Sequence, residues 1–360
     1  MKRKILLFLL LSTAFMLAVA GCGTGGENAG SENENATENT AKNTTENGSG
    51  NAEADDESFA IAISQYVEHP SLDATREGFI DALKDEGIEE GTNLTVDYNN
   101  AQADSTNNLS IAQDIATGEH DLVLAIATPS AQAIVEQVED MPVVFAAVTD
   151  PLDANIVDNL EQPGGNVTGA SDTNPESINQ LMDFIAKHFP DVQTVGVVIN
   201  EGEPNAVVMT DQAEEALAEH DIEVVRAAVT NTSEVKQAAE SLVGRADAIY
   251  ITLDNTVVSG VDAIIEVANE NKIPFFSSDR DTVESGAFAT VGFKYYDHGY
   301  QAGQIAVDIL KNGTAPGEIP VTFPDQLDYI LNLQAAEAQG IEVTDEMINM
   351  VNDQENNIIE

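Results

Sequence analysis

The sequence predicts an α/β protein of two doubly wound, Rossmann-like lobes with a ligand cleft between them. Strand and helix patterns alternate from about residue 58 onward, and the strands are continuous apolar runs. Such runs are typical of parallel sheets that are covered on both faces. The composition turns to loop around 162–169, and the same alternation then restarts. Because the alternation of strands and helices occurs once on each side of that loop, the sequence predicts two lobes.

The first half of the folded part predicts four strands. In the intervening helices the apolar residues recur at spacings of three and four, whereas they run without interruption in the strands. The predicted strands are Phe59–Ile63, Leu94–Tyr98, Asp121–Ile126 and Pro142–Val148, and the predicted helices run from about Leu72 to Gly87, over 105–117 and over 129–138.

The second half repeats this pattern after the loop. It begins with a helix rather than a strand, and the alternation then continues to about residue 323. The predicted helices are 175–188, 205–219, 233–243, 257–270 and 297–311, and the predicted strands are 195–199, 222–229, 247–253, 274–277, 286–291 and 318–323.

The charge of the chain is extreme for a folded protein. It has 14 Lys and Arg against 63 Asp and Glu, a net charge of −49, and 54 of the acidic residues fall in 58–360. We therefore expect no nucleic-acid partner and no attraction to anionic membrane surfaces. Because salt screens self-repulsion, the acidity favours a halophilic surface exposed to a salty medium. An ordinary acidic protein from a non-halophile is the alternative.

Motifs for catalysis and for metal binding are missing from the sequence. A single cysteine excludes a disulfide framework and a Cys-rich zinc or iron–sulfur site. The five histidines are scattered, and His69 beside Pro70 is expected in a loop rather than as a ligand group. The nucleophile-elbow, zinc-protease, P-loop and dinucleotide-binding patterns do not occur. We expect a protein that is not an enzyme and has no cofactor and no metal.

The N-terminus has the pattern of a secretion signal. Basic residues at Lys2–Lys4 precede an apolar stretch, Ile5–Val19, which is short for a spanning helix. The tetrapeptide Val19–Cys22 resembles the lipobox of bacterial lipoproteins, so 1–21 is predicted to be a signal peptide and Cys22 the site of lipid attachment. A plain signal peptide with an incidental cysteine is the alternative. Residues 22–57 are polar and acidic, which predicts a disordered tether.

Polar clusters follow the predicted strands, at the edge where open parallel sheets bind ligands. Each cluster alone is typical of turns and helix caps, but their topological equivalence favours a shared binding site. The candidate ligand-binding residues are Gln65, Tyr66, Thr128, Ser130, Thr149, Asp150, Glu203, Asn205, Asp254, Asn255 and Asp279.

Two of these clusters suit the charges of an amino acid. If Thr128 is the N-cap of a helix, the N–H groups of Ser130 and Ala131 are free to bind a carboxylate. Asp254 at the end of an apolar strand could pair with an ammonium group. A plain capped helix and a simple N-cap are the respective alternatives.

Six segments together resemble the signature segments of one family. These are Val67–Asp73, Asp121–Ser130, Pro142–Pro151, Pro163–Gly169, Glu203–Asn205 and Leu253–Val258. The family is that of ABC-transporter substrate-binding lipoproteins, which includes tryptophan and phenylalanine binders. The resemblance covers about 58–345 and implies a type I periplasmic-binding-protein fold with three crossover strands and closure about a hinge.

The resemblance also implies a division of the chain. Lobe one would comprise 58–165 and about 278–312, lobe two 166–277 and about 313–345, and 346–360 would be an acidic C-terminal tail. Lobe one would contribute Thr128, Ser130, Thr149 and Asp150 to the cleft, and lobe two Glu203, Asn205, Asp254, Asn255 and Asp279. Because the chain has no tryptophan, aromatic stacking on the ligand would come from Tyr66 or a phenylalanine.

The expected function is that of an extracytoplasmic solute-binding lipoprotein of an ABC importer. It would capture a small zwitterion, an aromatic amino acid above all, and deliver it to a membrane permease driven by an ATPase. We expect a monomer that meets the membrane only through its lipid anchor. Two alternatives stay open: a ligand-sensing lipoprotein without transport, and a sugar or nucleoside-type ligand in the same fold.

Overall fold

Two mostly parallel sheets organise residues 58–324 and 326–360, the part of the chain that the computed structural model describes. The predicted signal peptide, Cys22 and the tether lie outside the described residues. No described helix combines the length and the apolar character needed to cross a membrane.

The first sheet has five parallel strands in the order β2-β1-β3-β4-β5. They are β1 Phe59–Gln65, β2 Leu94–Asn100, β3 Leu122–Ile126, β4 Val143–Val148 and β5 Val167–Ser171. The helices between them are α1 Pro70–Asp85, α2 Ser105–Ala116 and α3 Thr128–Gln137. Every residue of β3 and β4 is buried, which explains their continuous apolar sequences.

The second sheet has seven strands in the order β12-β11-β10-β9-β8-β6-β7, parallel except for the β10–β11 pair. Its strands are β6 Thr194–Ile199, β7 Glu223–Ala228, β8 Ala248–Ile251, β9 Phe275–Ser277, β10 Ala289–Gly292, β11 Asp328–Asn332 and β12 Ile358–Ile359. The remaining helices are α4 Pro175–His188, α5 Pro204–Ala218, α6 Val235–Leu242, α7 Asn255–Val258, α8 Val261–Asn271, α9 Arg280–Ser285, α10 Tyr295–Asn312, α11 Leu333–Gln339, α12 Asp345–Met350 and α13 Gln354–Asn357.

Each sheet is the centre of one lobe. Lobe one is 58–171 with 295–322, because α10 returns from the second sheet to pack on α1. A Cβ atom on Gly299 of α10 would lie 1.9 Å from the carbonyl oxygen of Thr75 in α1, so glycine permits this close approach. Lobe two is 175–292 with 328–360, and the chain passes between the lobes at 172–174, at 293–294 and between Thr322 and Asp328.

The lobe boundaries differ from those expected from sequence. Residues 167–171, expected in lobe two, form β5 of the first sheet. Residues 278–292, expected in lobe one, include β10, which pairs with β9 and β11 in the second sheet. The strand expected at 318–323 is reduced to a single bridge between Ala170 and Thr322, on lobe one.

The C-terminal segment is folded rather than a tail. Met347 and Val351 are buried in the core of lobe two, and β12 pairs with β11. Asp328 anchors the segment, because its Oδ1 accepts from the backbone N–H of Asn352 at 2.9 Å and its Oδ2 from that of Asp353 at 2.8 Å. The expectation of a tail for 346–360 was therefore wrong.

Candidate functional site

Side chains from both lobes and from the crossover segments line a pocket between the lobes, which we call the central cavity. It lies beyond the carboxyl ends of strands from both sheets, where α/β sheets bind ligands. Lobe one and the crossover segments line it with His69, Leu72, Ala147, Thr149, Asp172 and Tyr295, and lobe two lines it with Asn205, Leu253, Asn255, Val258 and Asp279. Of the sequence-predicted residues, the cavity brings together Thr149, Asn205, Asn255 and Asp279.

Asp172 follows β5 and is buried at the cavity wall. Its Oδ2 accepts a hydrogen bond from the Tyr295 hydroxyl at 3.3 Å, and its Oδ1 accepts one from the Thr173 hydroxyl at 3.2 Å. Burial raises the pKa of Asp172 to about 6 even though these hydrogen bonds favour the charged form. A ligand group with positive charge would oppose this shift, because it would stabilise the ionised carboxylate.

Asp279 is the second carboxylate of the cavity and the N-cap of α9. Its Oδ1 accepts from the backbone N–H of Asp281 at 2.7 Å. Its Oδ2 accepts from the hydroxyl of Ser71, in lobe one, at 2.6 Å. Burial raises the pKa of Asp279 above its usual range despite these bonds.

The residues that line the cavity include no lysine or arginine. Burial lowers the pKa of His69 to about 4, so its imidazole is neutral at pH 7. Two buried carboxylates therefore face the cavity without a cationic side chain, an arrangement that favours a cationic ligand group. No group of three or more His, Cys, Asp or Glu suited to a metal ion occurs among the described residues.

Two neutral side chains present unpartnered polar atoms to the cavity. Both ring nitrogens of His69 are buried without a hydrogen-bond partner of good geometry, and the nearby Asn255 side chain offsets only part of the lowering of the His69 pKa. The amide nitrogen of Asn205 donates to the carbonyl oxygen of Leu253 at 2.7 Å, which leaves Oδ1 buried and unpartnered. Neutral His69 offers one donor and one acceptor, and Asn205 offers an acceptor.

Glu203 does not line the central cavity, because the start of α7 surrounds its carboxylate. Oε2 accepts from the backbone N–H and the side-chain amide of Asn255, at 3.0 and 2.6 Å. Oε1 accepts from the backbone N–H and hydroxyl of Thr256, at 2.9 and 2.7 Å. The carboxylate thus takes up the unpaired donors of the first turn of α7, which is a structural role.

Asp254 does not line the cavity either. It is the N-cap of α7, accepting from the backbone N–H of Val257 at 3.0 Å, and it also accepts from the N–H of Asn200 at 2.5 Å. Burial, together with the neighbouring Glu203 carboxylate, raises the pKa of Asp254 well above its usual range. The N-cap interpretation of Asp254 is the one observed.

The helix start at Thr128 differs from the expectation. Ala127 is the N-cap, with φ of 79°, and the N–H of Ala131 donates to the Ala127 carbonyl at 3.0 Å instead of being free. The Ser130 hydroxyl donates to Oδ1 of Asn108 at 3.1 Å, inside lobe one. The expected carboxylate site with a free Ala131 N–H was therefore wrong.

The other predicted lobe-one residues satisfy their hydrogen bonds locally. Asp150 accepts from the N–H groups of Leu152 and Asp153, both at 3.0 Å. Thr128 and Asp150 line an adjoining crevice, which also includes Asn205, rather than the central cavity. Gln65 is bonded to Asp73 and Arg76 within lobe one.

The aromatic group at the cavity is not the one expected. Tyr66 packs in the core of lobe one, where its hydroxyl donates to the carbonyl of Ala103 at 3.3 Å. Tyr295, at the start of α10, lines the cavity in its place. Sequence reasoning also missed Asp172, because β5 looked like loop, and it set His69 aside. Asp172 directly follows β5, and His69 lies between β1 and α1 as the N-cap of α1. These positions at the carboxyl ends of strands of the first sheet are the signal that could have found them.

Comparison with known proteins settles the family. Residues 60–354 match the family model described as ABC transporter substrate binding protein. The chain belongs to this family. This substrate-binding protein is similar to the tyrosine-binding protein of Clostridioides difficile, at 42% identity over 272 residues that cover 76% of this chain and 78% of that protein.

Two solved structures extend the similarity of this substrate-binding protein. An ABC domain from Streptococcus pneumoniae in complex with L-Trp aligns with a TM-score of 0.78 at 30% identity, covering 84% of this chain and 100% of that one. The ligand-free, open structure of a substrate-binding protein with adhesive properties from Clostridioides difficile aligns with a TM-score of 0.61 at 38% identity, covering 84% and 98%. The predicted family and the type I periplasmic-binding-protein fold are confirmed.

Proposed function

We propose that this chain is the extracytoplasmic receptor of an ABC importer and that it binds an aromatic amino acid as a zwitterion in the central cavity. The observation that carries the proposal is the pair of buried carboxylates, Asp172 and Asp279, in a lining without lysine or arginine. A ligand ammonium between them compensates charge that nothing else in the lining compensates.

The neutral part of the lining suits the other groups of such a ligand. The buried N–H of neutral His69 is a donor that a ligand carboxylate can accept from. Asn205 Oδ1 is a further acceptor for the ammonium. The side chain of the ligand would pack on Leu72, Leu253 and the ring of Tyr295.

The arrangement of the lobes supports binding by closure. The similarity to the L-Trp complex is greater, at a TM-score of 0.78, than the similarity to the open structure, at 0.61, although sequence identity runs the other way. We attribute this reversal to a difference in lobe arrangement. We infer that the lobes stand in the closed arrangement and that ligand shifts the protein toward it by binding it more tightly.

The choice of ligand rests on the lining and on the relatives. The relatives named above bind tyrosine and L-Trp, both aromatic amino acids. A sugar or nucleoside would leave Asp172 and Asp279 buried without a cation, which is costly. The sugar alternative therefore has less support than the amino acid.

Lipid anchoring and transport rest on the N-terminal sequence and on the family. The lipobox-like Val19–Cys22 and the polar segment 22–57 suit a domain tethered outside the membrane. An ABC permease is the partner that the family implies. A sensor without transport would instead be accompanied by a signalling protein and no permease gene.

Isothermal titration of the purified protein tests the ligand class. We expect L-tyrosine, L-phenylalanine or L-tryptophan to bind in the micromolar range or tighter, and D-glucose and adenosine not to bind. Because the chain has no tryptophan, L-tryptophan fluorescence can be followed without background. Binding of glucose or adenosine with no binding of the three amino acids would overturn the proposal.

A further inference from the structure

One hydrogen bond joins the lobes across the cleft. The Ser71 hydroxyl, in the first turn of α1 in lobe one, donates to Oδ2 of Asp279 in lobe two at 2.6 Å. Both side chains are 1% exposed. Two further polar side chains of lobe two also approach lobe one here, Asn255 beside His69 and Asp281 beside Ser71. The Ser71–Asp279 bond is the shortest polar link that closure would form.

The two residues stand in different relations to the ligand site. Asp279 lines the central cavity, whereas Ser71 lines a neighbouring cavity nearer the rim, together with Asp281 and Thr282. Ser71 is therefore placed to act on Asp279 without meeting the ligand. His69 and Val258 line both cavities and separate them.

The chemistry of the contact favours closure. When the lobes are apart, water solvates the Asp279 carboxylate, and closure removes that water at a cost in free energy. In the closed form the Ser71 hydroxyl donates a hydrogen bond to this carboxylate in place of one that water donated. Ser71 is also the second residue of a 16-residue helix, and a carboxylate near a helix N-terminus is stabilised by the helix dipole.

We propose that Ser71 is a positioning residue that latches the closed form through Asp279, and that it raises affinity for every ligand of the central cavity by the same factor. The identity of the ligands rests on the proposed function, whereas the Ser71–Asp279 latch does not. A charge-assisted hydrogen bond of this kind corresponds to about a tenfold change in the closing equilibrium.

The test compares Ser71→Ala with the matched control Ser285→Ala. Ser285 lines the same rim cavity, but its hydroxyl donates to the carbonyl of Asp281 within lobe two. We expect Ser71→Ala to weaken binding of L-tyrosine, L-phenylalanine and L-tryptophan by about tenfold each, with faster dissociation, an unchanged order of preference and an unchanged melting temperature of the ligand-free protein. Ser71→Thr should restore affinity, and Ser285→Ala should leave it unchanged.

A ligand-independent measurement separates the latch from the choice of ligand. Donor and acceptor dyes on Ser110→Cys and Gln237→Cys, exposed positions on α2 and α6, report the distance between the lobes in a full chain that carries Cys22→Ser. We expect Ser71→Ala to lower the closed fraction without ligand. An equal closed fraction, unchanged affinities or an altered order of preference would each overturn the latch. Failure of all three amino acids to bind would instead overturn the proposed function, and the dye distance would still decide on the latch.

Discussion

The Glu203 carboxylate accepts two hydrogen bonds from Asn255, one from the backbone N–H at 3.0 Å and one from the side-chain amide at 2.6 Å. With the two further bonds from Thr256, an internal anion occupies the N-terminus of α7. Helix N-termini often bind the anionic group of a ligand, but here the protein supplies that group itself. The recognition of the ligand is therefore left to other residues.

Glu203→Gln should reduce stability. The glutamine NH2 group would replace one of the two accepting oxygens and would face donors, and the bonds to the other oxygen would lose their charge assistance. We expect a cost of about 3 kcal/mol in the free energy of unfolding. Urea denaturation of the ligand-free protein measures the change. Glu240→Gln, at an exposed glutamate of α6, is the control and should have no measurable effect. A Glu203→Gln protein of normal stability that had lost ligand affinity would contradict the structural role.

The raised pKa of Asp172 predicts a pH dependence of stability. Its pKa of about 6 in the folded protein exceeds the usual value of about 3.9 in an unfolded chain. The folded protein therefore binds more protons between about pH 4 and pH 6, so the contribution of this group to stability falls as pH rises through that window. The free energy of unfolding of Asp172→Asn minus that of the wild type should rise by about 2 kcal/mol from pH 4 to pH 7. A difference that stays constant would show that Asp172 is not desolvated.

Ligand affinity should change with pH in the opposite direction. A ligand ammonium requires the charged form of Asp172, so lowering the pH through about 6 makes protons compete with the ligand. We expect the affinity for L-tyrosine to fall by about tenfold between pH 7 and pH 5. Titration calorimetry at both values measures it, with Asp172→Asn expected to show a smaller change. Equal wild-type affinity at pH 5 and pH 7 would argue against this pairing.

Cys22→Ser tests the lipid anchor. If the Val19–Cys22 segment is a lipobox, the wild-type protein should partition with membranes, and the variant should be released or keep its signal peptide. Membrane fractionation with immunoblotting distinguishes these outcomes. Normal processing with undiminished membrane retention of the variant would show that Cys22 is not the anchor.

The net charge of −49 predicts stabilisation by salt. Because screening weakens repulsion among the acidic groups, the melting temperature should rise steadily from 20 mM to 1 M NaCl. Equivalent concentrations of an uncharged osmolyte provide the control for non-specific stabilisation. An equal rise with the osmolyte, or no rise with salt, would favour an ordinary acidic protein.

A strand could be predicted from sequence where its own residues form a recognisable apolar pattern. The buried strands β1, β3 and β4 are continuous apolar runs, and their bounds agree with prediction within about two residues. The strand β5 carries no such signal, because Gly169 and Ser171 are small and lack β propensity. Glycine is needed there, since a Cβ atom on Gly169 would lie 2.1 Å from the carbonyl oxygen of Phe145.

The site was less predictable, because burial and partners are tertiary properties. Asp254 and Asp279 look alike in sequence, as acids after strands that begin helices. Asp254 turns inward to cap α7 and bond Asn200, whereas Asp279 faces lobe one across the cleft. Asp172 could be recognised as a candidate site residue only from the structure, in which it directly follows β5. The C-terminal segment likewise depends on Asp328, more than 20 residues earlier in the chain.

Binding of L-tyrosine compared with 3-(4-hydroxyphenyl)propionate tests the central claim most directly. The two molecules share the ring, the hydroxyl and the carboxylate, and only the amino acid carries the ammonium that we place between Asp172 and Asp279. Leaving that carboxylate pair without its cation should cost about 2 to 5 kcal/mol, so the propionate should bind at least about 30-fold more weakly in calorimetric titration at pH 7.5. Equal affinity of the two molecules would contradict recognition of the ammonium by this cavity.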